Sequence, residues 1–199
     1  MPPGRCATDE RVAAVRATGL GDAPDPVFVR QADLVRRLLK VPVAWVTLVL
    51  PDRQLFPGVS GLDGAPDTPS LCRRVVADGE PLIIPDTAAD LPEPAWPHEE
   101  FASYAGMPLV DSGGCVLGAL AAVDTVPRLW NADDREILQD LAAACSTELQ
   151  LRIQIGRTRA ATADAESARH AAEVQRQAAE QARQRSQLTS GITQAMTST

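Results

Sequence analysis

The sequence contains no proline after Pro127 and no aromatic residue after Trp130, although it has 16 prolines and seven aromatic residues before those points. The last 72 residues also hold only two glycines, Gly156 and Gly191. Proline and glycine are the residues that most often end helices and form turns. Their scarcity excludes a turn-rich fold in this region, so the sequence predicts a compact domain followed by one long helix.

Long apolar runs are also missing, since none approaches the roughly 18 residues that a membrane-spanning helix requires. The four cysteines, Cys6, Cys72, Cys115 and Cys145, form no C-x-x-C pair and have no histidine at zinc-ligand spacing. We therefore expect a cytoplasmic protein with reduced thiols, no structural metal and no contact with a membrane.

Signatures of common enzymes are absent as well. The sequence has no glycine-rich phosphate loop, G-x-S-x-G elbow, H-E-x-x-H motif or kinase signature. It has only two histidines, of which His170 lies in the alanine-rich region and is expected to be solvated. We predict that this chain is not an enzyme and contains no catalytic residue.

Charge also divides the chain into two parts. Residues 151–199 hold seven arginines and four acidic residues, which gives +3, so the total of −7 leaves about −10 on residues 1–150. An acidic domain repels phosphate backbones. Nucleic acid is therefore excluded as an expected partner.

The pattern of the first 130 residues predicts an α+β domain. Residues 43–50 are rich in β-forming residues and apolar on both faces, as in a central strand. In chain order we predict helices at 9–18 and from Pro26, strands at 43–50 and 54–59, a helix at 70–78, a strand at 82–84, an irregular segment at 85–100, strands at 105–110 and 115–123, and a long helix from Asn131. The helix from Pro26 is expected to bury Val27, Leu34, Val35, Leu38 and Leu39. Two hairpins imply a mainly antiparallel sheet.

The final helix is predicted to belong first to the domain and then to a coiled coil. Ile137, Leu138, Leu141, Ala142, Cys145 and Leu149 form one apolar stripe. Further on, Ala161, Ala165, Ala168, Ala172, Gln175, Ala179 and Ala182 recur at alternating spacings of 4 and 3 residues, which is typical of a coiled-coil seam. A solitary solvated helix is the alternative. We favour a parallel dimer with Leu141, Cys145 and Leu149 as larger anchors.

Two residues of the domain allow a chemical role. His98 has Trp96, Phe101 and Tyr104 near it in sequence, and such a group could line an apolar cavity that binds haem or another ligand. The simpler interpretation is a surface imidazole in a proline-rich loop. Cys72, next to Arg73, could be redox-active, although a buried free thiol is the simpler interpretation.

Four segments in order resemble a GAF domain: residues 70–86, 104–110, 114–120 and 124–130. Residues 18–26 and 41–44 are similar to the actinobacterial branch found in multidomain bacterial sensors. The resemblance covers residues 10–153 and implies a GAF/PAS-like fold. In that fold a central antiparallel sheet of five to six strands has helices on both faces, with those from the chain ends on one face and a ligand pocket on the other. The Asn-Lys-Phe-Asp-Glu set of cyclic-nucleotide-binding members is not visible. The Cys-His pair of phytochromes and the paired cysteines of free-methionine-sulfoxide reductases are absent too.

With this resemblance, the domain organisation becomes a disordered N-terminus at 1–8, a sensory GAF domain at 9–155 and a coiled-coil signalling helix at 156–199. We place the expected ligand pocket at Trp45, Phe56, Leu71, Cys72, His98, Phe101, Tyr104 and Asp124. Members of this type often precede a coiled-coil linker and then a second GAF domain, a histidine kinase or a serine/threonine phosphatase. The sequence therefore predicts a homodimeric, small-molecule-binding sensory domain that regulates a C-terminal effector and requires no cofactor; the alternative is a haem- or redox-active sensor that uses His98 or Cys72.

Overall fold

A computed structural model describes residues 6–63, 71–91 and 100–196, and it divides into two compact units, Met1–Gly156 and Arg157–Thr199. The elements in chain order are α1 (Thr8–Ala17), α2 (Pro26–Leu39), β1 (Val43–Val49), β2 (Gln54–Ser60), α3 (Leu71–Asp78), β3 (Leu82–Ile84), α4 (Thr87–Asp90), β4 (Ser103–Val110), β5 (Val116–Asp124) and α5 (Ala132–Met196).

The five strands form one sheet in the order β2-β1-β5-β4-β3, and every neighbouring pair is antiparallel. Every residue of β1 and β5 is buried, because these strands have a paired strand at each edge and packed side chains on both faces. The predicted α+β class and antiparallel sheet are confirmed.

The two faces of the sheet carry separate apolar cores. One face packs against α1, α2 and the first part of α5, whose buried residues include Val15, Val35 and Leu149. The other face packs against α3 and contains Trp45 and Tyr104. Helices from both ends of the domain therefore share one face, which leaves the second face to α3 and the segments around it.

Local sequence sets the bounds of α2. The Asp25 carboxylate accepts a hydrogen bond from the Val27 backbone N–H (3.0 Å), and Pro26 occupies the first turn. Lys40 ends the helix with a left-handed φ of 54°. The predicted apolar stripe was partly wrong, because Val27 and Leu38 are exposed while Phe28 and Ala32 are buried with Val35 and Leu39.

Three other expectations need correction. Cys6 and Cys115 form a disulfide, so the prediction of four reduced thiols was wrong for this pair. The segment predicted to be irregular contains α4, which Asp86 caps by accepting hydrogen bonds from Ala88 and Ala89. The last strand, predicted at 115–123, is β5 at Val116–Asp124, so Asp124 is its final residue.

The second unit is helical. Residues 157–181 are all exposed, and Ala161, Ala165, Ala168, Ala172 and Ala179 are among them. The side chain of Ala182 lies outside the described residues.

Candidate functional site

Five of the eight expected pocket residues meet on the sheet face opposite α1, α2 and α5. We call these five, Trp45, Leu71, Cys72, Phe101 and Tyr104, the α3-side cluster; all five are buried. The rings of Trp45 and Phe101 meet edge to face with centroids 6.1 Å apart. The cluster is therefore a mostly apolar environment.

Cys72 is the polar centre of this cluster. The Trp45 indole N–H donates a hydrogen bond to its sulfur (3.3 Å), and the Tyr104 hydroxyl lies 3.2 Å from the same sulfur. Buried polar atoms are costly without partners. Here three side chains from β1, α3 and β4 satisfy one another, which fixes their relative positions.

Strand geometry explains why these side chains meet. Successive side chains of a strand point to opposite faces, so Trp45 and Tyr104 lie on the α3 side while Val46 and Ala105 lie on the other. Gly106 leaves room for the tyrosine ring, because a Cβ at that position would lie 2.7 Å from two of its ring carbons. The ring therefore packs directly over the β4 backbone.

Burial raises the pKa of Tyr104 well above its usual value of 10, and the neighbouring Cys72 sulfur acts in the same direction. The phenol consequently stays protonated near pH 10, where a free tyrosine ionises, and retains its O–H as a donor. Only 2% of Cys72 is exposed. The arrangement suits a thiol that is held in place better than one that reacts with dissolved oxidants.

Phe56 and Asp124 lie apart from this group. Phe56 is half-buried at its edge and also lines a cavity of about 530 Å³ with Val29 of α2 and Val59 of β2. Asp124 accepts a hydrogen bond from the Thr125 backbone N–H (2.8 Å) and pairs with Arg128 (3.4 Å). Its role in the structure is to fix the end of β5.

His98 and Trp96, on which the haem alternative depends, lie outside the described residues. Within the ranges 6–63, 71–91 and 100–196, no group of three or more histidine, cysteine, aspartate or glutamate side chains is arranged to hold a metal ion. In the same ranges, none of the helices combines the length and apolar character needed to cross a membrane.

Sequence reasoning missed the ion pairs that fasten α5 to the domain. Arg152 donates two hydrogen bonds to the Asp25 carboxylate (2.7 and 3.1 Å) and one to Glu148 (2.6 Å), and its guanidinium lies 5.2 Å from the centroid of the Phe28 ring. Burial alone would raise the pKa of Asp25, but these hydrogen bonds and the arginine charge lower it overall. The carboxylate that caps α2 therefore also holds α5.

The start of α5 is fastened in a similar way. Arg128 pairs with both Asp124 (3.4 Å) and Asp134 (3.1 Å) and lies over the Trp130 ring at 4.8 Å. Asn131, where the sequence predicted the start of the helix, caps it by accepting a hydrogen bond from the Asp134 N–H (2.8 Å). The end of β5 and the beginning of α5 thus form one connected network.

A further contact joins α5 to α1. A Cβ built on Gly156 would lie 3.0 Å from the Ala17 carbonyl carbon and closer still to its oxygen. Real Cβ atoms essentially never approach backbone so closely. The glycine therefore permits α5 to touch the C-terminal end of α1 at the last residue of the first unit.

Two of the three residues predicted as dimer anchors lie in the core of the domain instead of at its surface. Cys145 and Leu149 are fully buried against the sheet, and Leu141 packs partly against the same core. The exposed apolar residues near this end of the unit are Leu151, at 56%, and Ile155. If the alternating spacing of 4 and 3 residues is continued from Ala161 toward the N-terminus, it passes Thr158 and Gln154 and reaches Leu151. Leu151 therefore lies on the same stripe of α5 as the alanine seam.

A groove of about 780 Å³ follows the outer edge of β4 and is lined by Ile83, Met107, Gln139 and Thr147 among others. β3 pairs with β4 only as far as Gly106. Beyond it, the Val110 N–H donates to the Ser146 hydroxyl (3.0 Å) and the Gln150 amide donates to the Val110 carbonyl (3.2 Å). Side chains of α5 therefore satisfy an edge that would otherwise be open to another strand.

This strand order, with terminal helices on one face and a buried cluster on the other, defines an α+β domain of the sensory-domain type that the sequence resembles. The GAF domain family matches residues 23–149, and the chain belongs to that family. The predicted resemblance to a GAF domain is confirmed. No curated protein matches the chain in sequence.

Solved structures support the same fold. GAF3 from Slr1393 of Synechocystis, in its photoproduct state, is 20% identical, with 66% of this chain and 96% of that chain covered and a TM-score of 0.55. The GAF domain of an Acinetobacter phosphoenolpyruvate-protein phosphotransferase is 17% identical over 77% and 97% of the two chains, with a TM-score of 0.54. A free methionine-R-sulfoxide reductase from Neisseria meningitidis, solved with its substrate, is 17% identical over 79% and 98%, with a TM-score of 0.51.

Proposed function

We propose that this chain is a non-enzymatic sensory domain that forms a parallel homodimer through α5 and passes a packing change in its core to a C-terminal effector. The observation that carries the proposal is that α5 is one helix, Ala132–Met196, whose first part is a core element of the GAF domain. A helix that belongs to the core must respond when the core repacks, because close-packed interiors transmit displacement.

The contacts of α5 support this role. Arg128 ties its start to β5, and Arg152 ties a later turn to the cap of α2. Gly156 then places it against α1. A change on any of these elements shifts a partner of α5, which is the kind of coupling that a signalling helix needs.

The alanine seam supports a weak and switchable dimer. Its described residues are all exposed in the single chain, and alanine buries little apolar area when two helices pair. A weakly held seam allows two registers or rotations that differ by a few kcal/mol, as two-state signalling elements require. Leu151 supplies a larger apolar contact on the same stripe.

We place the sensed event at the α3-side cluster, with a small molecule as the expected ligand. Family membership favours sensing over catalysis. The thiols also favour it, since Cys72 and Cys145 are buried and the other two cysteines form a disulfide. The effector is proposed as a serine/threonine phosphatase or a histidine kinase, on the basis of the resemblance.

The dimer is tested by replacing both Ala168 and Ala172 with leucine. Each substitution adds three carbon atoms to the seam, and burial of a methylene contributes about 0.8 kcal/mol, so the dimer dissociation constant should fall by at least tenfold in sedimentation equilibrium. The control is the variant with leucine at Ala160 and Ala163, which lie off the seam on the same exposed helix. Equal dissociation constants for the two variants would refute the seam.

A further inference from the structure

The disulfide between Cys6 and Cys115 joins the N-terminus of the domain to its sheet. The two Cα atoms are 5.2 Å apart and the residues are separated by 109 positions in sequence, within the usual range of Cα separations for a disulfide. Cys6 is half-buried and stands two residues before α1, whereas Cys115 is buried at the end of the turn between β4 and β5. The bond therefore fixes the beginning of α1 to this hairpin.

The hairpin keeps its shape without that bond. The Asp111 carboxylate accepts hydrogen bonds from the backbone N–H groups of Gly113 (2.8 Å) and Cys115 (2.9 Å). The Gly114 N–H donates to the Asp111 carbonyl (3.1 Å), and Gly114 has a left-handed φ of 80°. The Cys115 side of the bond is therefore held by hydrogen bonds as well as by the disulfide.

At its other end α1 touches the signalling helix. Ala14 and Val15 are buried in the core that includes α5, and the Ala17 carbonyl lies against Gly156. The ten-residue helix is short, about 15 Å at 1.5 Å per residue. One end of α1 is thus covalently held and the other contacts α5 where the first unit ends.

We propose that Cys6–Cys115 is a reversible thiol–disulfide site whose redox state changes the packing of α1 against α5. The inference concerns the first unit and does not depend on the dimer or on the effector. It gives the domain an input separate from the α3-side cluster.

The reaction partner is a dithiol reductant. Its thiolate attacks the Cys6 sulfur, which is the more exposed of the two, so the bond between the cysteines breaks and the Cys115 sulfur leaves and takes up a proton. The second thiol of the reductant then attacks the mixed disulfide and releases the Cys6 thiol. Two electrons and two protons pass to the protein, and the reductant becomes a disulfide; a disulfide of the same class reverses the reaction.

The two remaining cysteines do not compete. Cys145 is in the same core, but burial and the Glu148 charge raise its pKa to about 12, which keeps it as an unreactive thiol at neutral pH. Cys72 lies on the opposite face of the sheet with Trp45 and Tyr104.

The test compares the full chain before and after treatment with dithiothreitol under native conditions. Alkylation after denaturation and mass spectrometry should count two free cysteines before treatment and four after it. Hydrogen exchange of the α1 amides, and of those around Gly156, should become roughly tenfold faster on reduction, because the local opening of α1 becomes less costly. Cys6→Ser should exchange like the reduced protein with or without dithiothreitol, whereas Cys72→Ala should retain the response.

Three results would overturn the proposal. Four free cysteines after oxidation with diamide would show that the bond does not form. A disulfide that resists dithiothreitol until the protein unfolds would make it a fixed structural bond. Reduction without any change in exchange at α1 or Gly156 would remove the coupling to α5.

Discussion

Replacing Gly156 with alanine tests how α5 is held at the end of the domain. In a helix that touched nothing at this position, the substitution would stabilise the protein by about 1 kcal/mol, because glycine is a poorer helix former than alanine. Here the new methyl group would meet the Ala17 backbone, with its carbon 3.0 Å from the carbonyl carbon. The sign of the change therefore reports whether α1 and α5 are in contact.

The magnitude follows from two opposing effects. Forcing one additional carbon into a close-packed contact costs typically 1–3 kcal/mol, and the obstacle is backbone that cannot rotate away. Subtracting the helix-propensity gain leaves a net destabilisation of up to about 2 kcal/mol. For a domain of this size, that corresponds to a fall in Tm of up to about 8 °C.

Tryptophan fluorescence during urea unfolding measures the change in the free energy of unfolding of the first unit, Met1–Gly156. All three tryptophans, Trp45, Trp96 and Trp130, lie before Arg157, so fraying of the second unit contributes little to the signal. Gly21→Ala is the matched control, because a Cβ at Gly21 would meet nothing within 4 Å. It should be neutral or stabilising by up to about 1 kcal/mol.

A Gly156→Ala protein that unfolds at higher urea concentration than the wild type would refute the contact between α1 and α5. Such a result would also remove the route by which the disulfide is proposed to act on α5.

Two further predictions concern titratable groups. Tyr104 is the only tyrosine in the chain, so absorbance at 295 nm should show no phenolate in the folded protein near pH 10. The free energy of unfolding should decline as the pH rises above the ordinary tyrosine pKa, because only the unfolded chain then ionises. A normal titration of Tyr104 in the folded state would place the ring in water. In the wild type, protonation of Asp25 weakens the fold as the pH falls below the ordinary pKa of 3.8. Asp25→Asn keeps the α2 cap but loses the charge that pairs with Arg152. The variant should therefore lose this part of the acid sensitivity. In a double-mutant cycle with Arg152→Met, the coupling free energy should be about 0.5–3 kcal/mol, and a value near zero would show that the two side chains act independently.

Much of the fold could be predicted because its signals are local. The apolar run of residues 43–50 predicted a strand buried on both faces, and the structure has β1 there at Val43–Val49. The starts of α2 near Pro26 and of α5 near Asn131 could be predicted because capping signals lie within two or three residues of the backbone that they bond. The expected pocket, given with the family resemblance, included both Trp45 and Tyr104, and the structure has them on one face of the sheet.

Features that depend on distant partners could not be predicted in the same way. Asp25 and Arg152 are 127 positions apart, and the sequence contains many acidic and basic residues that could pair with either. The disulfide also spans a long separation, 109 positions, and its cysteines belong to no C-x-x-C pair. The stripe of α2 was misjudged by one position, since Val27 and Phe28 are both apolar and only tertiary packing decides which faces the sheet.

Sedimentation of the full chain with and without Asp25→Asn tests the central claim most directly, because Asp25 lies on the domain and the proposed dimer contact lies on α5. The account predicts that the wild type dimerises and that the variant changes the dimer dissociation constant by at least about fivefold, which is the lower end of usual coupling between sites. A monomer at every concentration, or a dissociation constant that Asp25→Asn leaves unchanged, would contradict it.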